Sequence, residues 1–165
     1  MTLRPILRYP DPMLSAVCEP VVDFGAGLRQ LAEDLLDTMR AAPGVGITAA
    51  HVGILQRVVV LELPEWQAAR TYVNPQILSS SAGTMRHAEG SVSMPGFVEE
   101  VERPSSISCR YQDLAGDWHE EQAEGFHAIC LQHEIDQLEG IFWLKRLSRL
   151  KRERLIRRWQ KQGGR

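Results

Sequence analysis

The sequence predicts an α+β fold: short antiparallel strands packed around a buried central helix, with an N-terminal helix and a C-terminal helix beside them. Three observations carry this prediction. Helical spacing of apolar residues recurs in separated segments, near residues 26–40, 126–138 and 148–159. Between the first two lie short β-branched runs cut by turn residues. Those runs do not alternate with helices in the way a doubly wound parallel sheet requires.

In chain order, residues 3–8 read as extended, and Pro10 and Pro12 exclude a helix there. Over 26–40, Leu28, Leu31, Ala32, Leu35, Leu36 and Met39 form one apolar face until Pro43, Gly44 and Gly46 break the helix. Residues 58–63 are a strand stopped by Pro64. Residues 71–73 and 76–78 read as two short strands flanking Asn74-Pro75, and 79–83 as a loop. Strands follow at 98–102 and 107–112, a turn at 113–116 and a returning strand at 118–122. The helix at 126–138 is apolar on most sides, hence buried. The last helix, basic over about 148–162, offers Leu150, Leu155, Ile156 and Trp159 for docking.

A chain of 165 residues suits a single domain, 1–165, with a core of its own. With 44% hydrophobic and 24% charged residues, disorder is excluded. The longest aliphatic run, Val58-Val59-Val60-Leu61, is far short of a membrane span. No apolar stretch of signal-peptide length follows Met1, so the expected location is the cytoplasm. Cys18, Cys109 and Cys130 are too few and scattered for a disulfide framework or a zinc ribbon. The net charge of -2 hides an asymmetry, because residues 145–165 hold ten basic side chains against one acid, Glu153. Such a helix is either a solvated face or a contact for nucleic acid, in which case the chain is a ribosome- or RNA-associated factor.

Chemistry concentrates on the second helix. His133 and Gln137 stand at i and i+4 with Glu134 beside them. This is the H-E-x-x-H geometry of a metal helix, in which two imidazoles bind the ion and the glutamate handles the proton of an attacking water. Here the second imidazole is a glutamine.

The stretch His133-Glu134-Ile135-Asp136-Gln137-Leu138-Glu139-Gly140 resembles the peptide deformylase motif H-E-x-D-H-L-x-G. Gly44-Val45-Gly46-Ile47-Thr48-Ala49-Ala50-His51 resembles G-x-G-x-A-A-x-Q, and Glu89-Gly90-Ser91-Val92-Ser93-Met94-Pro95-Gly96 resembles E-G-C-L-S-x-P-G. Asn74-Pro75 and Pro10-Asp11-Pro12 also fit, and the likeness runs from about Leu3 to Leu150.

The resemblance implies a deformylase fold and a site built on Fe(II) or a similar metal. The ion would be held by a cysteine thiolate and two histidines, with a glutamate as acid/base and a glutamine at the formyl oxygen. Here the first histidine is His133 and the glutamate is Glu134. Ser91 replaces the cysteine, Gln137 the second histidine and His51 the glutamine. A serine hydroxyl and a glutamine amide are poor partners for iron or zinc. The expectation is therefore no tightly bound cofactor. Fe(II), Zn or Ni would enter only if an altered site with His51 as substitute ligand still binds metal.

By the same resemblance, Val45, Gly46, His51, Val92, Phe126 and Ile129 bind substrate, with Cys130 beside them, and Glu89 pairs with Arg103. A catalytic role falls first to Glu134. The function expected is binding of a peptide or acylated amine terminus, with normal N-formylmethionine deformylation lost. The alternative is a hydrolase that removes formyl or another small acyl group using Glu134, with an altered metal site or none.

Overall fold

Alternate residues of a strand face opposite ways, so the unbroken apolar run at 58–61 asks for cover on both sides. The computed structural model, which describes residues 2–163, supplies it. Strand β2 (Val58–Leu61) lies inside a five-stranded antiparallel sheet of order β1-β2-β3-β6-β7. Its neighbours are β1 (Gly46–Thr48), β3 (Arg70–Ser80), β6 (Ser106–Gln112) and β7 (Trp118–Glu124). Helix α1 (Ala26–Ala41) covers one face, where Leu35 and Met39 pack with Ile47, Val58 and Val60. Helix α2 (Gly125–Leu138) covers the other, where Leu131, Ile135 and Leu138 pack with Val59, Leu61 and Tyr72. Strands β4 (Thr84–Ser91) and β5 (Met94–Pro104) form a separate hairpin. A third apolar cluster joins Met94, Phe97 and Val101 of β5 to Leu155 and Trp159 of α3 (Arg149–Lys161).

The α+β expectation holds, and its details need five corrections. The two short strands around Asn74-Pro75 are one strand, β3, which continues through Ser79 and Ser80 where a loop was expected. A register shift lies between Val73 and Gln76. Asn74 there adopts a left-handed φ of 50°, and its side chain bonds Val21 N, Val21 O and Gln112 Oε1 at 2.8, 2.9 and 2.7 Å. Pro75, which has no N–H to offer, thus sits in a bulge instead of ending the strand. Strand β4 escapes the sequence reading because Thr-Met-Arg-His-Ala-Glu-Gly-Ser carries almost no apolar signal, and β5 runs well beyond 98–102 on both sides. Gly46, expected to break the helix and to bind substrate, opens β1, a strand that the periodicity did not show. Pro12 starts a short 3-10 turn, Pro12–Ser15, at a position where its missing N–H costs nothing. Leu150 does not dock, being 59% exposed, whereas Leu155 and Trp159 are buried.

Helix α2 ends in a Schellman arrangement: Gly140 N–H bonds Gln137 O at 3.1 Å and Ile141 N–H bonds Asp136 O at 2.9 Å. Gly140 has φ 76°, and a Cβ there would lie 2.6 Å from the Ser15 carbonyl oxygen. That close approach seats the N-terminal segment on the helix end, where Cys18 N–H also reaches Leu138 O at 2.8 Å. Gly140→Ala is expected to lower stability by about 2–4 kcal/mol, from left-handed strain and overpacking together. Urea unfolding with an unchanged m-value measures it.

Candidate functional site

A cavity of about 450 Å³ opens between segment 44–46, the β4–β5 hairpin and α2. Helix α2 contributes His133 and Glu134, the end of β4 contributes Ser91, and a 3-10 turn after β1, Ala49–Val52, contributes His51. The cavity also gathers Val45, Gly46, Val92, Phe126, Ile129 and Cys130.

His133 is oriented by a buried ionic chain. Its Nδ1 lies 2.8 Å from Glu89 Oε1, which fixes the proton on Nδ1 and leaves Nε2 as the free ring nitrogen. Arg103 grips Glu89 through Nε and Nη2 at 2.6 and 2.9 Å and reaches Asp136 Oδ2 through Nη1 at 2.8 Å. Arg146 closes the chain with two bonds to Asp136. Burial alone would raise the Glu89 pKa, but its bonds to His133 and Arg103 overcome that and hold it at about 2. Burial would lower the His133 pKa, yet the Glu89 bond and the Glu134 charge carry it above the usual imidazole value. The Glu89–Arg103 pair that the resemblance implies is thus present, while its extension through Asp136 and Arg146 was not legible.

Glu134 is buried against backbone: a Cβ on Gly46 would stand 2.6 Å from Glu134 Oε1. Only glycine leaves the carboxyl its place. Oε2 has no hydrogen-bond partner among the described residues. Burial lifts the carboxyl to about 7 against the pull of the His133 charge, with the Glu89 charge adding to the rise.

His51 is 1% exposed. Its Nδ1 accepts the Thr48 backbone N–H at 2.9 Å, with Thr48 Oγ1 at 3.0 Å. Burial and the nearby His133 charge hold it at about 3, so the ring is neutral and its proton sits on Nε2. That N–H has no partner among the described residues. The spacing Thr48-x-x-His51 of a capped turn could have shown this from sequence.

Ser91 Oγ accepts Ser93 N–H at 3.1 Å. Gln137 is 2% exposed and its amide Nε2 donates to the Leu14 carbonyl at 2.7 Å. It does not line the cavity, and the 123 residues between these partners left no trace in the sequence. Among the described residues, no three His, Cys, Asp or Glu side chains are grouped closely enough to hold a metal ion.

The sequence pattern of the family Polypeptide deformylase matches residues 3–153. A "Peptide deformylase-like" protein of Agrobacterium fabrum is 65% identical over 98% of this chain and 98% of its own length. In Rhizobium meliloti strain 1021, a "Peptide deformylase-like" protein is 56% identical over 98% of this chain and 94% of its own length. The same strain has a "Peptide deformylase" that is 40% identical, with the same two coverages. Among solved structures, the peptide deformylase of Ehrlichia chaffeensis in complex with actinonin superimposes with a TM-score of 0.93 at 34% identity, covering 98% of each chain.

Because Glu134 titrates at about 7 when folded and at an ordinary 4.5 when unfolded, its ionised form opposes folding. In metal-free protein its contribution is harmless below pH 4.5 and grows unfavourable as pH rises through 7, by about 3 kcal/mol at most. The raised His133 pKa acts with the same sign. Glu134→Gln is expected to be the more stable protein at pH 8, with the difference shrinking toward pH 4.5, in denaturant melts across that range.

Proposed function

From the premise that the chain belongs to the polypeptide deformylase family, we propose that it binds N-acylated peptide termini in the family cleft without metal-dependent removal of the acyl group. The observation that carries this reading is the bond from Gln137 to the Leu14 carbonyl. At the position of the second histidine ligand stands a side chain whose amide is turned to the protein backbone. Ser91, at the thiolate position, offers a neutral hydroxyl that iron and zinc bind poorly. His51 does not repair the set, because a ring nitrogen that carries a proton has no lone pair for a metal. The residues present do not fit the family metal.

The same residues suit an uncharged acyl group. His51 Nε2–H is a fixed donor in the cavity wall, fit for a carbonyl oxygen. In the family the glutamine at this position donates from an amide that can rotate; a pinned imidazole donates only. Strand β1 is the edge of its sheet, so its outer side can pair with an extended peptide backbone. The two Rhizobium relatives agree with this division of labour, since one strain carries both a named deformylase and a deformylase-like protein. A second reading, a small-acyl hydrolase, draws support from Glu134, whose pKa of about 7 suits proton transfer at neutral pH.

Purified protein is expected to hold far less than one equivalent of Fe, Ni or Zn. It should bind N-formylmethionyl tripeptide in calorimetry and release no formate. Near-stoichiometric metal with formate release would sink the proposal. Turnover that persists in chelated protein and vanishes in Glu134→Gln would establish the second reading instead. Ser91→Cys with Gln137→His is expected to restore tight metal binding. His51→Leu should weaken binding of the acylated peptide about tenfold, the worth of one good hydrogen bond, while His51→Gln keeps most of it.

A further inference from the structure

His133 is held in the manner of a general base. Glu89 Oε1 takes the ring proton at Nδ1, at 2.8 Å, and Arg103 fixes that carboxylate with two bonds of its own. The ring lines the cavity and keeps a free lone pair on Nε2. An imidazole whose Nδ1–H is bound by a buried carboxylate is oriented to take a proton from a nucleophile. Ser91 lines the same cavity from the end of β4, two residues beyond Glu89. Alternate residues of a strand leave it on one side, so one strand supplies both the orienting acid and the hydroxyl. Ser91 Oγ accepts the Ser93 N–H at 3.1 Å, which leaves its own O–H to donate. Ser91 Oγ and His133 Nε2 share no hydrogen bond in the free chain, and catalytic bonds of this kind commonly tighten only around substrate.

His51 supplies the remaining part. Its ring lines the cavity, pinned through Nδ1 by Thr48, and its buried Nε2–H has no partner among the described residues. A fixed donor of this kind holds a carbonyl oxygen as negative charge develops on it. The substitutions that make the site unfit for iron or zinc thus complete another set. Ser91 is a nucleophile, His51 a donor, and His133, whose partner ligands are gone, a base. The single side-chain donor sets a limit. Losing one donor from an oxyanion site costs about 10²–10³ in rate, so this arrangement suits an ester, with its reactive acyl carbon and good leaving group, more than a resonance-stabilised amide.

We propose that Ser91, His133 and Glu89 form a metal-free acyl-transfer triad that hydrolyses small-acyl esters in this cleft. Ser91 Oγ passes its proton to His133 Nε2 and bonds the acyl carbon, while the carbonyl electron pair moves to the oxygen held by His51. The bond from the acyl carbon to the alcohol oxygen then breaks, and the departing alkoxide takes the proton from His133. Water clears the acyl-Ser91 ester: it gives a proton to His133 Nε2, its oxygen bonds the acyl carbon, and Ser91 Oγ leaves and recovers the proton. Ester and water become acid and alcohol, with nothing oxidised or reduced. This chemistry rests on the proposed cleft function in one respect, that an acyl oxygen lodges at His51. A bound N-acylated peptide is then a competitor of the ester.

Intact protein mixed with p-nitrophenyl acetate in mildly alkaline buffer, with EDTA and phenanthroline present throughout, tests this. A burst of about one equivalent of p-nitrophenol is expected, followed by slower turnover, with the acetyl group found on Ser91 by peptide mass spectrometry. Ser91→Ala should abolish the burst, and His133→Ala should slow acylation about 10²-fold. Ser91→Cys in the same chelators should recover the burst through a thioester. Glu89→Gln should lower kcat about tenfold or more with KM within about twofold, the signature of a lost orienting acid. Acetylation of Cys130 or of no residue, a burst that survives in Ser91→Ala, or turnover that the chelators abolish overturns the proposal. N-formylmethionyl tripeptide separates the two ideas. If it binds in calorimetry and slows the burst, both stand. Binding without a Ser91 adduct refutes the triad and leaves the cleft reading intact. A Ser91 adduct in a protein that takes no tripeptide refutes the cleft reading and leaves the triad.

Discussion

Glu89 of β4 and Arg103 of β5, both almost wholly buried, are joined by two hydrogen bonds, and His133 of α2 joins the same carboxylate. Taking such charges out of water costs several kcal/mol per ion unless geometry and bonding repay it. Repayment here is nearly complete. The two oxygens of Glu89 take three bonds, and Arg103 is shared between Glu89 and Asp136. The consequence is positional. The hairpin, which makes no ladder with the five-stranded sheet, is tied to α2 at the place where the cavity must form. With the bond from Gln132 of α2 to Pro104 O of β5 at 2.9 Å, that tie sets Ser91 and Val92 on the hairpin relative to His133 and Glu134 on the helix.

Once the hairpin is fixed, the floor of the cavity follows from close contacts that permit few side chains. Gly46 leaves Glu134 room to lie against β1, and at Gly44 a Cβ would stand 2.9 Å from Val92 Cγ1, so that side chain would have to shift. His51 is held by Thr48 so firmly that its ring offers the cavity a donor and nothing else. Among the described residues four buried polar atoms lack partners, and two of them, His51 Nε2 and Glu134 Oε2, belong to residues that line the cavity. Each such atom costs about 1–3 kcal/mol, and apolar residues at either position would remove the cost.

Most of the cavity was readable through the likeness of residues 44–51, 89–96 and 133–140 to the family's motifs. From the residues alone, the local signature was the i, i+4 polar pair His133 and Gln137, with Glu134 beside it, on an otherwise apolar helix. What escaped depends on contacts between distant segments. Strand β4 has too little apolar alternation to declare itself and exists because β5 pairs with it. Asn74-Pro75 looks like a break until the side chain of Asn74 is seen bonding Val21 and Gln112. Leu150 has the apolar character of a docking residue, yet it sits at the start of α3 on the side turned away from Leu155 and Trp159, and so stays in solvent.

The same distinction explains how α2 can carry glutamine at a ligand position without disturbance. A metal-binding imidazole does two jobs: one nitrogen holds the ion, and the other usually donates outward to a carbonyl or carboxylate that fixes the ring. Gln137 performs the outward half. Its amide bonds Leu14 O, at the point where Gly140 brings the N-terminal segment down onto the helix end. The inward half has no counterpart. The junction of the α2 end, the N-terminal turn and the helix cap is therefore held by protein groups. In a protein whose site is built around an ion, metal binding and folding are coupled. On the proposed reading, the bond from Gln137 to Leu14 stands in for that coupling, and the cleft keeps its shape for a peptide without the ion.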